Sequence, residues 1–545
     1  MPFGMGRREN CEIVKLCSYE KFKHRADGTP RQNRMSELSK ERLGQIMAHP
    51  PRRARIRPLI PAVAWVLMAG CAVGPDFKRP AAPAVSNYTG HPLQDTVNST
   101  NVVGGEAQHF AKGNDIAGDW WTLFHSKPLN ELIELSLTNN PDLKAAQAAL
   151  LVARENMLAQ RGVFYPSVTG SFSATRQKQP GTLAPVPNSN TFQYNLFTPQ
   201  VSVSYSPDVF GLNRRTVESV QAQEQNVRFQ MIAAYTTLTA NVVVTAIQAA
   251  AVQAQIDATR QLVDLNSNMV EILRYQYTKG YAGRLDVVAQ ESQLAQVVAT
   301  LPPLFKQAAQ LRDLLAVLAG RFPNQSSAEK FELSSLQLPV EIPVSLPSQL
   351  VAQRPDVLQA EANLHAASAG IGIAIANRLP NITLTADAGS TALSFDKLFS
   401  SGTGFWGLGA AATAPLFQGG QLLHQERAAK AAYVEAAEQY RSTVLTAFQN
   451  VADTLTALEQ DAEGLKAAAT AADNAQETLD LSQRQWKDGY ISYLALLSAE
   501  QAYQQTCINL VQAQANRYAD TAALFQALGG GWWHRADLTK DKNEK

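Results

Sequence analysis

The sequence predicts an α+β membrane protein, with a β-barrel assembled from several chains capping a long α-helical coiled-coil cylinder. Three observations carry this reading. First, residues 421–487 run for 67 positions with no proline and one glycine, Gly464. As a single α-helix this stretch would be about 100 Å long, several times an ordinary domain helix. Val434, Ala437, Arg441, Val444, Phe448, Val451, Leu455 and Leu458 step by three and four, with Arg441 the one break, and Ala462, Leu465, Ala469 and Ala472 continue the track. That 3.5-residue period is a left-handed coiled-coil seam, and its alanines let helices approach closely.

Second, the chain repeats itself. Asn140-Pro141-Asp142-Leu143 returns as Arg354-Pro355-Asp356-Val357, and Tyr165-Pro166 as Leu379-Pro380. Pro207-Asp208-Val209-Phe210-Gly211 matches Pro415-Leu416-Phe417-Gln418-Gly419, and Lys279-Gly280-Tyr281 matches Asp488-Gly489-Tyr490. Leu318-Ala319-Gly320 is paired with Leu528-Gly529-Gly530, so offsets run from 208 to 214 over five ordered landmarks. A tandem duplication follows, and the first copy has its own long helix over about residues 211–278.

Third, each copy contains a pair of alternating segments. Val168, Gly170, Phe172 and Ala174 alternate with Thr169, Ser171 and Ser173, while Val201, Val203 and Tyr205 alternate with Ser202 and Ser204. In the second copy Ile382, Leu384 and Ala386 precede a loop around Asp396, and Trp406, Leu408, Ala410 and Ala412 follow it. Alternation over about ten residues is the membrane-barrel pattern, and Tyr165, Phe197, Phe399 and Phe405 lie where aromatic girdles sit. A soluble hairpin is the competing explanation. Four strands cannot enclose a lumen, and an open edge is not tolerated in lipid, so several chains must contribute; three would give twelve strands.

From the start of the chain, residues 1–70 hold 14 Lys or Arg against 6 Asp or Glu, leaving 34 basic and 41 acidic side chains, a formal charge of −7, for the rest. A mildly acidic body argues against nucleic acid as a partner. Arg52, Arg53, Arg55 and Arg57 precede the apolar run 58–67 and then Met68-Ala69-Gly70-Cys71, the layout of a secretory signal. Small residues directly before Cys71 resemble a bacterial lipobox, which implies cleavage before Cys71 and acylation of that residue. Ala72 after it implies delivery to the outer membrane. A signal peptide is N-terminal, so synthesis is expected to begin at Met47, with residues 1–46 a non-native extension and 47–70 the signal. The mature chain would then contain Cys71 and Cys507, and no internal disulfide is expected.

Residues 71–120 read as an extended segment. The first repeat spans 121–330 (hairpin about 165–207), the second 331–532 (hairpin about 380–415, helix about 420–487), and 533–545 is a polar tail. Helical spacing runs from Trp120-Trp121 through Leu137, and a second helix from Asp142 to Gly162. Each long helix ends at a Gly-Tyr turn and a shorter helix returns. In the first copy Pro302-Pro303 is expected to stop or kink that return.

The chain resembles the lipoprotein branch of the TolC-like outer-membrane factors. The residues that carry this are Cys71-Ala72-Val73-Gly74-Pro75-Asp76-Phe77, Trp120-Trp121 with Phe124, and Asn140-Pro141-Asp142. Arg354-Pro355-Asp356-Val357 with Ala360-Glu361, Ile371-Gly372-Ile373-Ala374, Pro415-Leu416-Phe417-Gln418-Gly419-Gly420 and Leu528-Gly529-Gly530-Gly531-Trp532 complete the set, covering residues 71–532. The resemblance implies a homotrimer with a 12-stranded outer-membrane barrel, four strands per chain. It also implies a periplasmic helical barrel and an α/β belt from segments such as 121–138, 303–350 and the C-terminus. The function implied is a passive exit duct of a tripartite efflux pump, served by a periplasmic adaptor and an inner-membrane transporter of the resistance-nodulation-division type. The exit duct of a type I protein-secretion system would look nearly identical.

Only the two turns lie at the inner tips, so the expected adaptor contacts are Gly280, Tyr281, Ala282, Gly283, Arg284 and Asp286 with Gly489, Tyr490, Ile491 and Ser492. Glycine at such a turn also serves simply to end a helix. Arg284 and Asp286 are a candidate gate-holding pair. In this branch the helix after the second turn often carries Leu-Leu-Asp-Ala, placing an acid in the pore constriction. Here Leu496-Leu497-Ser498-Ala499 stands instead, so Ser498 forms no fixed negative ring and Leu494 on the same face is the expected apolar constriction.

No metal-protease, Cys-x-x-Cys, Walker or nucleophile-elbow motif occurs, and no cofactor is expected. Gly402-Thr403-Gly404-Phe405-Trp406-Gly407 has the letters of a dinucleotide fingerprint, but an alternating strand follows it where a helix N-terminus would be needed. His365 and His424 fit surface or belt positions better than ligand roles.

Overall fold

The computed structural model describes residues 72–178, 180, 193–325 and 331–539. Cys71, the signal segment, the proposed start at Met47 and the last six residues of the tail lie outside these. Among the described residues the first copy contributes helix α1 (Lys127–Asn139), α2 (Pro141–Arg161), strands β2 (Ser167–Lys178) and β3 (Gln193–Tyr205), α3 (Leu212–Thr278) and α4 (Arg284–Leu318). The second contributes α5 (Pro347–Gln353), α6 (Pro355–Ala376), β5 (Asn381–Ser390), β6 (Gly404–Thr413), α7 (Gln421–Lys487), α8 (Tyr493–Ala527) and α9 (Ala536–Thr539). Two short strands, β1 (His109–Lys112) and β4 (Glu341–Val344), pair in parallel beside the helices.

The duplication is closer in space than in sequence. Helices α3 and α7 are each 67 residues long, and α4 and α8 each 35. Gly211, Gly280 and Gly320 have positive φ, as do Gly420, Gly489 and Gly529, each pair 209 positions apart. The expected pairing of Gly320 with Gly530 is therefore off by one. What must coincide is the left-handed residue that ends the helix, and that is Gly529. All four long helices close in the same way: the glycine N–H donates to the carbonyl of the second-last helical residue and the next N–H to the carbonyl one residue further back. Tyr281 N–H donates to the Gln276 carbonyl and Tyr490 N–H to that of Gln485, at 2.9 and 2.8 Å. Arg321 and Gly530 do likewise to Ala316 and Phe525. These are Schellman caps, which satisfy carbonyls otherwise left orphaned.

Three sequence expectations need correction. The return helix does not stop at Pro302-Pro303, because α4 continues through both to Leu318. The carbonyls they leave without partners belong to Val298 and Ala299, which are exposed, so water can satisfy them. The helix expected from Trp120 is a 3₁₀ turn, Trp120–Phe124, separated from α1 by His125 at φ 51°. Burial of Trp120, Trp121 and Phe124 against Tyr518 and Phe525 decides that local shape, with Trp120 stacked 5.2 Å from Phe525. Finally, the α7 seam is buried from Val451 onward, but its first turns bury Ala436, Tyr440 and Ala447 beside Val444, leave Phe448 half-buried and leave Val434 and Arg441 exposed. A straight helix drifts by about 20° per heptad, which moves the contact track to the neighbouring row.

The sheet order is β2-β3-β5-β6, antiparallel throughout. Its register aligns the alternation across all four strands. Val168, Val203, Ala386 and Leu408 form one cross-strand row, and Thr169, Ser202, Asp387 and Gly407 the next. One face is thus apolar and the other polar. Every residue of β2 is exposed within the protomer, so no core of this chain covers the sheet. Strands β2 and β3 run further than the sequence suggested, pairing out to Lys178 and Gln193.

Candidate functional site

The tips are built from both copies. Met269 and Leu273 of α3, Val287 of α4, Leu479 of α7 and Tyr493, Leu496 and Ala499 of α8 form one buried cluster, with Ala282 and Trp486 packed on it. The two helix–turn–helix ends therefore lie side by side. Around this small core the turns are open: Gly280, Tyr281, Gly283, Arg284, Gly489, Tyr490 and Ser492 are exposed, whereas Ala282, Asp286 and Ile491 are half-buried. Tyr281 and Tyr490 stand 84% and 81% exposed at equivalent positions. Such large exposed aromatics suit a partner surface better than a finished one.

Arg284 and Asp286 do not pair. Asp286 instead accepts the Gly283 N–H at 3.0 Å and caps α4, while Ser492 accepts the Ala495 N–H at the start of α8. Leu494 is 60% exposed, and the Ser498 hydroxyl donates to the Leu494 carbonyl one turn back, so both occupy one open face of α8. The duplication adds a residue that motif reading passed over. Leu285, the first-copy equivalent of Leu494, is 75% exposed.

Behind the tips runs a buried polar track. Asn266 accepts from Gln290 at 2.9 Å, the Tyr493 hydroxyl donates to Gln290, and Gln290 reaches Glu500 at 3.5 Å. Gln501 donates to Gln293 at 2.9 Å one turn further in. Burial pushes the Glu500 carboxyl up to about 7. The signal was present in the sequence: Tyr493, Leu496, Glu500 and Tyr503 share one seam, and a charge on an apolar seam is out of place.

At the other end of the helices, residues 72–79 are clamped to the foot of the sheet. Val73 N–H donates to the Phe210 carbonyl at 3.1 Å. The buried Arg215 guanidinium binds the Val73 and Gly74 carbonyls, Asp76 and Glu218. Phe77 stacks on His365, whose Nε2 lies 2.9 Å from Glu218. That accounts for His365 as a structural partner. Gly211 must stay small here, since a Cβ on it would fall 2.6 Å from the Ala72 Cα. The segment then runs along the helices to the belt, where Gln108 and Arg517 share Thr96. The Gly402–Gly407 motif leads into β6, with no helix N-terminus to receive a phosphate.

A two-faced, open-edged sheet continued by paired helices about 100 Å long is the architecture of a membrane β-barrel carried on a coiled-coil stem. The outer membrane efflux protein family model matches residues 132–321 and 346–530, one segment per copy. The chain is 30% identical over 479 residues to the probable efflux pump outer membrane protein TtgC of Pseudomonas putida, covering 87% of this chain and 95% of that one. Identity and coverage are the same for the antibiotic efflux pump outer membrane protein ArpC of Pseudomonas putida. The outer-membrane channel OprN superimposes with a TM-score of 0.76 at 24% identity, covering 85% of this chain and all of the other. This chain belongs to the outer membrane efflux protein family.

Proposed function

We propose that three copies of the chain form a 12-stranded barrel and a continuous helical duct, the exit of a tripartite efflux pump. The sheet carries this reading. Strands β2 and β6 are free edges, and its apolar and polar rows suit lipid on one side and a water-filled lumen on the other. Joining β6 of one copy to β2 of the next removes every edge. The tips then lie about 100 Å from the membrane, where Tyr281, Tyr490 and the turns around them meet a periplasmic adaptor coupled to a proton-driven inner-membrane transporter. Leu494 and Ser498, with Leu285, line the constriction. The names of the Pseudomonas relatives favour efflux over protein secretion.

Cys71 is the proposed lipid anchor, following the signal at residues 47–70. Its neighbour Ala72 is held against Gly211 at the foot of the sheet, which supports acyl chains entering the membrane beside the barrel. Photoreactive residues at Ala282 and Ser492 in living cells test the docking tips. An adduct with an adaptor of a proton-driven pump is the expected result. An adaptor tied to an ATP-driven exporter would favour secretion, and no adduct from an intact trimer would refute the tip assignment.

A further inference from the structure

We propose that Glu500 is a proton-operated latch between the two helix–turn–helix ends, closed when its carboxyl is protonated and released when it is ionised. Three observations place it there. Glu500 is 2% exposed within a single protomer, so assembly can only bury it further. Its Oε2 receives one long hydrogen bond, from Gln290, and its Oε1 has no partner. The duplication supplies an internal control. Glu291, the first-copy equivalent of Glu500, pairs with Arg274 at 2.7 Å. At the position equivalent to Arg274 the second copy has Gln483. The same carboxylate therefore has a cation in one hairpin and none in the other.

The surroundings offer no substitute charge. Helix α3 presents Asn266, α4 presents Gln290 and Gln293, and α8 presents Tyr493 and Gln504. Asp286 of α4 and Asp480 of α7 are the charged neighbours, acting on Tyr493 and Tyr503 respectively, and both are acids. The donors are also already committed: Asn266 to the Leu262 carbonyl, Tyr493 to Gln290, and Gln290 to Asn266 and Glu500. A neutral carboxylic acid fits this enclosure, whereas an anion is under-solvated. Gln290 and Glu500 come from opposite copies; the bond from Gln290 favours the ionised carboxylate, but the burial imposed by packing the two copies together outweighs it, so ionising Glu500 works against that packing.

The sign follows from linkage. The packed tip holds the proton up to about pH 7, while a carboxyl released to water loses it near its ordinary value of 4.5. Between these limits closure weakens as pH rises, by up to about tenfold per pH unit, and it levels off above the upper limit. The latch deepens the duct reading, and it rests on that reading only for what parted tips would let through.

Hydrogen exchange on the intact trimer, corrected for the intrinsic pH dependence of exchange, is the direct test. Protection across residues 493–503 is expected to fall between pH 5 and 7 in the wild type and to stay constant in Glu500→Gln. Gln483→Arg, which restores the cation of the first copy, is expected to move the transition to lower pH. Single-channel opening should follow the same pH profile. A flat wild-type protection profile, or an unchanged slope in Glu500→Gln, would overturn the latch. If Glu500→Gln does not assemble, an unmoved transition in Gln483→Arg has the same force. A pH-dependent protection change without any conductance would preserve the latch and refute the duct.

Discussion

Helices α3 and α7 are copies of one element, equal in length and capped alike, yet α3 buries 26 of its residues within the protomer and α7 only 12. Helix α3 buries a broad face: Val242, Val243, Ala246, Ile247 and Ala250 are fully enclosed, with Thr239, Ala240 and Thr245 widening that face, while Thr237, Asn241 and Gln248 opposite are exposed. Helix α7 buries a single seam and leaves Val434 and Leu445 59% and 64% exposed. Identical backbones have thus been assigned different solvents. Helix α3 is the protomer's own core helix, and α7 keeps an uncovered face that the proposed trimer would use. The apolar window in α3 that is long enough to span a bilayer is a consequence of that burial, not a membrane crossing.

Substituting each helix at its characteristic surface breaks this contrast most sharply. Val243→Asp places a charge where nothing can solvate it and is expected to cost more than about 4 kcal/mol, seen as loss of cooperative unfolding by circular dichroism. Leu445→Asp should leave protomer helicity intact and lower the heat-modifiable trimer on a gel. If the two variants behave alike, the division between core helix and contact helix is wrong. The turns are where the copies should agree. Gly280→Ala and Gly489→Ala each force an alanine to φ near +80°, an expected loss of about 1–2 kcal/mol at either turn, read from denaturant midpoints. The smallest effect tests the difference in gating. Ser498→Asp is expected to raise cation selectivity in single channels without altering stability, whereas Ala289→Asp, its first-copy equivalent packed on the tip cluster, should not. Equal selectivity in wild type and Ser498→Asp would remove Ser498 from the constriction.

Helices α3 and α7 were legible because nothing in them competes with helix: no proline, one glycine at most, and a Gly-Tyr stop at the end of each. The strands were legible because alternation survives even where the sheet has no core beneath it. What escaped depended on contacts distant in sequence. Pro302-Pro303 looked like a stop, but the carbonyls they free belong to Val298 and Ala299, which are exposed where water can reach them. Trp120-Trp121 carried helical spacing, which a 3₁₀ turn packed under α8 satisfies equally well. Within the protomer Asp286 caps its own helix through the Gly283 N–H and Arg284 stands exposed, a local contact that the motif alone did not indicate. Glu500 was visible as a charge on an apolar seam, but its isolation emerged only when its copy, Glu291, was seen holding Arg274.

The constant spacing of 209 residues between the capping glycines also makes the molecule a pair of rulers. Both long helices count the same 67 steps from a left-handed glycine at the membrane end to a Schellman glycine at the tip. Adding one heptad to α3 alone would carry its turn about 10 Å beyond that of α7 and separate Gln290 from Glu500. Adding it to both would lengthen the reach and keep the tips level. Insertions are therefore tolerable only in matched pairs, and the distance between sheet and tips is written twice in one chain.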